Sequence, residues 1–210
     1  MQHITTTTLS LCDIGNTSYH FLINNHESKE DVEQFDPTTI NYIVYYISVN
    51  SQVSQVLKKL DNWIDLSPYI EIDKYYPTMG IDRIIACESI ENGCIIDAGS
   101  AITVDIVKNS SFKGGFIYPG IKAMQQTYKN ISPALNYSFN FDFDLNVLAK
   151  NSQDAISYGY LKGLYNEIIS YNLPIILTGG DAQKFVTVFK DAKLDEGLIF
   201  KGMQKIFQLR

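Results

Sequence analysis

CDIGNTSYHFLI, at residues 12–23, shares its pattern with IDAGSAITVDIV, at residues 96–107. In each stretch an apolar segment ends in Asp-x-Gly and small polar residues, and a second β-rich segment follows at once. This pattern predicts a β-hairpin, which in the first case extends over residues 5–24. Because the motif occurs once in each half, the sequence predicts two similar α/β domains that face each other across a cleft. The cleft is then the expected site.

We place the boundary between the two predicted domains after residue 91, which gives domains of residues 1–91 and 92–210. Apolar periodicity, turn residues and capping signals locate the remaining elements. They predict strands at 40–50, 68–73, 112–120 and 173–180, and helices at 51–60, 80–91, 121–130, 153–171 and 181–190. Ser51 is the predicted cap of the first helix. Residues 132–152 have no regular pattern and are interpreted as a loop over a site.

The composition excludes several classes of function. A formal net charge of −6 over 210 residues disfavours a broad surface for nucleic acid or for an anionic membrane. No apolar run approaches the roughly 18 residues of a membrane span, and the amino-terminal residues lack the features of a signal peptide. A cytoplasmic location is therefore expected. The three cysteines show no CxxC spacing, which favours buried, reduced thiols over a zinc site or disulfides.

The carboxylates Asp13 and Asp97 each stand at the end of a predicted strand, just before a glycine turn. Glycine lets backbone amides approach a phosphate closely, and two such turns could clamp one phosphate chain. A carboxylate repels a bare phosphate, so this arrangement makes sense when a cation lies between the two. A single Asp-x-Gly turn is more often structural, but the two corresponding copies favour a functional interpretation.

Three further motifs carry possible chemistry. In GIDR, at residues 80–83, Asp82 could accept a proton from a hydroxyl and Arg83 could hold a carboxylate or a phosphoryl group. Alternatively, Asp82 only favours the helix dipole and Arg83 points to solvent. The glycines of KGGFIYPG (113–120) and ILTGGDA (176–182) suit either a nucleotide site or close packing, with Pro119 as the predicted opening of the next helix.

Taken together, these motifs resemble those of type III pantothenate kinases. The matching stretches, in chain order, are DIGNT (13–17), GIDR (80–83), DAGSAITVD (97–105), GGFIYPG (114–120) and NSQDAISYG (151–159). The resemblance implies an α/β fold of two ribonuclease H-like domains, with mixed sheets flanked by helices, as in the acetate and sugar kinase, heat-shock ATPase and actin superfamily. It also implies ATP-dependent phosphorylation of pantothenate, the first step of coenzyme A synthesis.

The resemblance further implies specific roles for residues of this sequence. Asp82 matches the general base, Asp97 the ligand of a monovalent cation (K⁺ or NH₄⁺), and Asp13 lies near the Mg²⁺ that accompanies ATP. The implied ATP contacts are Asp13, Ile14, Gly15, Asn16, Thr17, Ser18, Tyr19, His20 and Ser100. The implied pantothenate contacts are Tyr76, Gly80, Ile81, Asp82, Arg83 and Ser152. Members of the family are usually homodimers, and we expect the same here.

The sequence departs from the family pattern at several of these positions. His20 stands where many relatives carry lysine, so its contact with phosphate would depend on pH. Ser100 and Ser152 replace threonines and keep the hydroxyl group. The choice of Tyr76 over Tyr75 is open at this stage, because the segment before Gly80 is short.

Three alternatives compete with the kinase interpretation. The chain could be a non-catalytic regulatory relative of the same fold, or a kinase of the superfamily that acts on a sugar or a short acid. The complete set of Asp13, Asp82, Arg83 and Asp97 argues against the first of these. A dinucleotide-dependent oxidoreductase is disfavoured because no G-x-G-x-x-G opens a helix after a strand.

Overall fold

The computed structural model describes residues 9–208, which form two compact units. The first unit contains the described residues up to Ser89 and those from Ile199 onward, and the second contains Ile90–Leu198. The predicted domain boundary after residue 91 lies close to this division, but the last helix groups with the first unit. The start of the predicted first hairpin, residues 5–8, lies outside the described residues. The amino-terminal residues for which no signal peptide was predicted lie there as well.

The first unit combines one sheet with short helices. Its elements are β1 (Ser10–Ile14), β2 (Ser18–Ile23), β3 (His26–Asp31), β4 (Val44–Ser48), α1 (Ser51–Leu57), β5 (Trp63–Asp65) and α2 (Ile81–Glu88). Three 3₁₀ turns, at Pro37–Thr39, Ser67–Tyr69 and Ile72–Lys74, connect them.

The second unit is built in the same way but with longer helices. Its elements are β6 (Gly93–Ala98), β7 (Ala101–Lys108), β8 (Ser111–Pro119), α3 (Ile121–Ile131), α4 (Ser152–Ser170), β9 (Ile175–Thr178), α5 (Ala182–Phe185) and β10 (Lys193–Leu194). A 3₁₀ turn occupies Pro133–Leu135. The final helix, α6 (Leu198–Gln208), begins at the last residue of this unit and belongs to the first unit from Ile199 onward.

The two sheets have the same strand order and the same directions. The order is β3-β2-β1-β4-β5 in the first unit and β8-β7-β6-β9-β10 in the second. In each sheet the first three strands form an antiparallel meander, and the next two lie parallel to its first strand. The predicted repeat and the predicted fold class, two similar α/β units with mixed sheets flanked by helices, are therefore confirmed.

Each unit buries one face of its sheet in an apolar core. In the second unit the core face of β6 and β7 packs with α4, whose buried residues recur at helical spacing (Ile156, Tyr160, Leu161, Leu164 and Ile168). In the first unit an aromatic cluster of Tyr19, Phe21, Tyr46 and Trp63 fills the corresponding place. The core of the first unit holds β1 and the Asp-x-Gly turn that follows it, and the core of the second unit holds β6 and its turn.

Several predicted elements are wrong or misplaced. Residues 68–73 form 3₁₀ turns and not a strand, because Asp65 accepts the Ser67 N–H at 2.8 Å and turns the chain before Pro68. The strand in this region is β5, which precedes the predicted one. The cap of α1 is Asn50 and not Ser51, since the Asn50 side chain accepts the N–H groups of Gln52 and Val53.

Other differences concern element length. The strand predicted at 40–50 covers only Val44–Ser48, the helix predicted at 80–91 ends at Glu88, and the helix predicted at 181–190 covers only Ala182–Phe185. Pro119 closes β8, and Gly120, not Pro119, precedes the first turn of α3. The sequence patterns missed β3, β5, β10 and α6, and correctly predicted the two hairpins, α3, α4 and β9.

The cysteines are buried in both units. Cys12, Cys87 and Cys94 are buried and form no disulfide, as predicted. Among residues 9–208, no helix is long and apolar enough to cross a membrane.

Candidate functional site

The first Asp-x-Gly turn connects β1 to β2. Asp13 lies opposite His20 and buried Ile14 lies opposite buried Tyr19, so the strand ladder continues up to the turn. Gly15 then closes the turn by donating its N–H to the Ser18 carbonyl at 3.0 Å. Asn16 and Thr17 at the tip are exposed, as a turn that contacts a ligand requires.

The half-buried Asp13 carboxylate influences its neighbour in β1. Burial, and secondarily the negative charge of Asp13, raise the pKa of the Cys12 thiol well above its ordinary value. Cys12 therefore stays a neutral thiol at physiological pH. Asp13 is the acidic group at this end of the strand.

The His20 imidazole has a carboxylate partner that the sequence interpretation missed. Its Nε2 lies 2.8 Å from Oε2 of Glu27 on β3, and the ring packs edge-on against Phe200 with centroids 4.7 Å apart. When the ring is protonated, this contact is an ion pair. The sequence offered no signal for Glu27, because β3 was not predicted and all six of its residues are exposed.

The second Asp-x-Gly turn connects β6 to β7 and is one residue shorter than the first. Ala98 pairs with Ile102, and Gly99 donates its N–H to the Ala101 carbonyl at 3.0 Å. Ser100 is exposed at the tip, and Asp97 is half-buried at the strand end. An equivalent hydrogen bond fixes the strand end before each turn. Ile14 O accepts the Val49 N–H at 3.0 Å in the first unit, and Ala98 O accepts the Asp181 N–H at 2.8 Å in the second.

Two glycines outside the turn pack closely against it. A Cβ atom on Gly120 would clash with the Ser100 carbonyl oxygen, and one on Gly179 would clash with Oδ1 of Asp97. Gly179 also has φ +91°, which favours glycine. Close packing around the turn therefore explains Gly120 of YPG and Gly179 of LTGG. It does not explain Gly180, where a Cβ atom would have open space.

Polar residues form a row beside Asp97 on the sheet face opposite the apolar core. Asp97 lies between Thr103 of β7 and Thr178 of β9 in strand register. Thr178 and the neighbouring Asp105 are almost completely buried. The Thr103 hydroxyl oxygen is buried and is the one such side-chain atom among residues 9–208 without a hydrogen-bond partner. The sequence analysis quoted Thr103 within a motif but assigned it no role.

The GIDR motif forms the start of α2. Gly80 precedes the first helical turn, and Oδ1 of half-buried Asp82 accepts the N–H of Arg83 at 2.8 Å. A Cβ atom on Gly80 would lie 2.5 Å from this Oδ1 and not closer than 3.6 Å to any other heavy atom. Glycine at position 80 therefore leaves the space that the Asp82 carboxylate occupies.

Arg83 is buried and points inward, contrary to the solvent-facing alternative. Only 6% of its surface is exposed, and its guanidinium donates a hydrogen bond of 2.6 Å to the Tyr76 hydroxyl. Tyr75 makes a different contact, donating its hydroxyl proton to Glu88 at 2.9 Å near the other end of α2. The structure thus joins the Tyr76 hydroxyl to Arg83 of this motif and the Tyr75 hydroxyl to Glu88.

Ser152 occupies the first turn of α4 in the second unit. The Asn151 side chain caps the helix by accepting the Asp154 N–H at 2.9 Å, which leaves Ser152 exposed. The irregular segment before it is tied to the helix, since Asn140 donates to Asp154 at 2.9 Å and accepts the Asp142 N–H at 3.1 Å. This anchoring fixes the position of the helix start that presents Ser152.

A model of the type III pantothenate kinase family matches residues 59–172. Among curated proteins, a type III pantothenate kinase of Sulfurimonas denitrificans is 59% identical to this chain over 198 residues, which cover 94% of this chain and 97% of that protein.

Two solved structures extend the comparison. A Campylobacter jejuni protein described as a Baf family transcriptional activator is 42% identical and superposes with a TM-score of 0.85, over 95% of this chain and 98% of that one. A Sinorhizobium meliloti protein described as a 2-dehydro-3-deoxygalactonokinase is only 6% identical, with a TM-score of 0.58 over 95% and 96% of the two chains. This second likeness concerns the fold alone.

Proposed function

This chain belongs to the type III pantothenate kinase family and phosphorylates pantothenate with ATP, the first step of coenzyme A biosynthesis, and we propose which of its residues perform the reaction. The identity of 59% over nearly the whole chain carries the functional conclusion. A non-catalytic regulatory role is not favoured, because the family model and this relative both bear the kinase name. The reaction uses ATP with a divalent cation.

The proposed ATP contacts lie in the Asp-x-Gly turn of each unit, as the family resemblance implies. Residues 13–20 and Ser100 would contact the phosphate groups through the exposed turn tips and the adjoining strand ends. Mg²⁺ in kinases is commonly held by one or two carboxylates together with substrate phosphates. Asp13 supplies one carboxylate at the end of β1, so the first turn fits this ion. Magnesium would offset the phosphate charge that this acidic protein does not neutralise by itself.

The proposed pantothenate site is built around the start of α2. The Arg83 guanidinium is well suited to the pantothenate carboxylate, because its fork of donors matches two carboxylate oxygens and Tyr76 holds it in place. Gly80, Ile81 and Tyr76 would line the same pocket, and Ser152 would contribute a hydroxyl contact. The hydrogen bond between Tyr76 and Arg83 supports the choice of Tyr76 over Tyr75.

Asp82 is the proposed general base. Phosphoryl transfer needs little covalent help from the protein, so catalysis depends on alignment of the substrate hydroxyl and on the surrounding charges. One Asp82 oxygen is occupied by the Arg83 N–H, which fixes the carboxylate while leaving its other oxygen to accept the proton of the pantothenate hydroxyl.

Asp97 is the proposed ligand of a monovalent cation, K⁺ or NH₄⁺. Asp97 offers a carboxylate, and the threonines on either side of it in strand register offer hydroxyl oxygens, which are donors of the kind that hard cations bind. When bound, the cation would lower the electrostatic cost of placing phosphates beside an acidic turn.

A homodimer and a cytoplasmic location complete the proposal. The family expectation supports the dimer, and three buried cysteines without a disulfide are compatible with a reducing compartment.

A coupled ADP assay tests the function. We expect turnover with pantothenate and none with acetate or with a panel of sugars. Turnover only with another substrate would favour a different kinase of the superfamily. The absence of turnover with any of them would favour the regulatory alternative.

Replacement of Asp82 by Asn tests the proposed base. The Asn carbonyl can still accept the Arg83 N–H, so we expect normal folding and a drop in kcat of about 10² to 10⁴-fold. Asp73→Asn, at an exposed carboxylate in a 3₁₀ turn, is the matched control and is expected to keep full activity. Full activity in the Asp82 variant would remove this residue from the mechanism.

A further inference from the structure

The hydroxyl group of Thr103 is the starting point for a further inference. Its oxygen is buried, and it has no hydrogen-bond partner in the described part of the chain. Protein structures rarely leave a buried hydroxyl unsatisfied, because such a group loses its hydrogen bonds to water and gains nothing in return. We therefore expect this oxygen to contact a bound ligand.

The position of Thr103 indicates which ligand. In the antiparallel pair of β6 and β7, Thr103 lies directly opposite Asp97. Residues that face each other in this way point to the same side of the sheet, with Cβ atoms about 5 Å apart. The even-numbered neighbours in both strands face the apolar core of this unit, so Thr103 and Asp97 share the opposite face of the sheet.

We propose that the Thr103 hydroxyl oxygen is a second protein ligand of the monovalent cation at Asp97. This inference rests on the cation role proposed above for Asp97. The chemistry suits both candidate ions, because a hydroxyl oxygen can coordinate K⁺ and can accept a hydrogen bond from NH₄⁺. Thr103 is thus a positioning residue: it holds the cation and touches neither ATP nor pantothenate.

The proposal makes opposite predictions for the cation-free and the cation-bound protein. Without the ion, Thr103→Val removes an unsatisfied hydroxyl while keeping the branched shape, so the variant should melt no lower than the wild type. With the ion, the same change removes a ligand, so the variant should gain less stability from the ion than the wild type gains. A merely structural threonine would not produce this reversal.

Thermal unfolding at increasing KCl, with choline chloride keeping the ionic strength constant, measures the effect. We expect Thr103→Val to raise the K⁺ concentration for half-maximal stabilisation by about tenfold, in the range for loss of one supporting contact at an ion site. Thr103→Ser, which keeps the hydroxyl, should stay within about threefold of the wild type. Thr127→Val, at an exposed threonine of α3, is the control and should not change the K⁺ response.

The outcomes separate this inference from the proposals on which it depends. If Asp97→Asn abolishes the K⁺ response and Thr103→Val leaves it unchanged, Thr103 is not a ligand, although Asp97 remains one. If neither K⁺ nor NH₄⁺ stabilises the wild type, both assignments are overturned. ADP formation with pantothenate is measured separately and tests the kinase function itself. If Thr103→Val does not fold, Thr103→Ala provides the same comparison.

Discussion

At the scale of single residues, the arrangement around Asp82 depends on what is missing from Gly80. The Asp82 carboxylate lies where a side chain at position 80 would begin, and it is held by the N–H of the next residue. The backbone at Gly80 has φ −62°, which any residue can adopt. Glycine is therefore required here for space and not for backbone conformation.

This arrangement predicts the effect of Gly80→Ala. The added methyl group would displace only the end of the Asp82 side chain, so we expect a change of less than about 1 kcal/mol in the free energy of unfolding. The displaced carboxylate would be misaligned with the substrate hydroxyl, and kcat should fall by about tenfold or more. Urea unfolding and steady-state kinetics check the two parts.

Gly159→Ala is the control for this prediction. Gly159 lies in α4, and a methyl group added there would have the Tyr128 hydroxyl as its nearest heavy atom at 3.6 Å, an ordinary contact distance. The control should keep wild-type kcat. Unchanged kcat in Gly80→Ala would show that the observed position of Asp82 is not needed for catalysis.

At the scale of elements, the second turn depends on the strand and the helix that pack against it. Gly179, directly after β9, has a positive φ, and a Cβ atom there would clash with backbone atoms of Ala98 and with Asp97. Backbone atoms cannot swing away as a side chain can. A side chain at position 179 is therefore costly in two independent ways.

Gly179→Ala should accordingly destabilise the protein. A left-handed conformation costs an L-residue about 1 to 2 kcal/mol, and the contact with Ala98 adds about 1 to 3 kcal/mol of overpacking. We expect the free energy of unfolding to fall by about 2 to 5 kcal/mol in urea titrations. Gly180→Ala, whose methyl group would enter open space, should change it by less than about 1 kcal/mol. Equal effects of the two changes would contradict this account of the motif.

At the scale of the whole molecule, buried thiols and phenols make the free energy of unfolding depend on pH in the alkaline range. Burial raises the pKa of the Cys94 thiol to about 12, and that of the Tyr46 phenol also to about 12. The pKa values of Cys12 and Tyr160 are raised for the same reason. In the unfolded chain, thiols and phenols lose their protons near pH 9 and 10, whereas these folded groups do not.

The stabilisation from these groups is therefore fully present below about pH 9 and is lost as the pH rises toward 12. Each mismatched group costs up to about 1.4 kcal/mol per pH unit. We expect the free energy of unfolding to fall by about 2 to 3 kcal/mol between pH 9 and 10, measured by urea unfolding. Cys94→Ala should show a shallower slope. A stability that is constant up to pH 10.5 would contradict the prediction.

The sequence by itself determined the repeated architecture, the two Asp-x-Gly turns, the start of α2 at GIDR and the family. These features have strong local signals: apolar alternation around a glycine, or a fixed order of motif residues. Such signals arise because buried and exposed residues alternate with a fixed period along a regular strand or helix, so the order of apolar and polar residues records the element. β3 lacks them because all of its residues are exposed, and β5 and β10 lack them because they have only three and two residues.

Only the tertiary structure decided which side chains meet. It paired His20 with Glu27, joined Arg83 to Tyr76, and placed the unsatisfied Thr103 hydroxyl opposite Asp97. It also assigned Gly179 to close packing and Gly180 to open space, a distinction that two adjacent identical residues cannot carry in a sequence. The physical reason is that strand register and packing bring together residues far apart in the chain, and no local pattern records those distances.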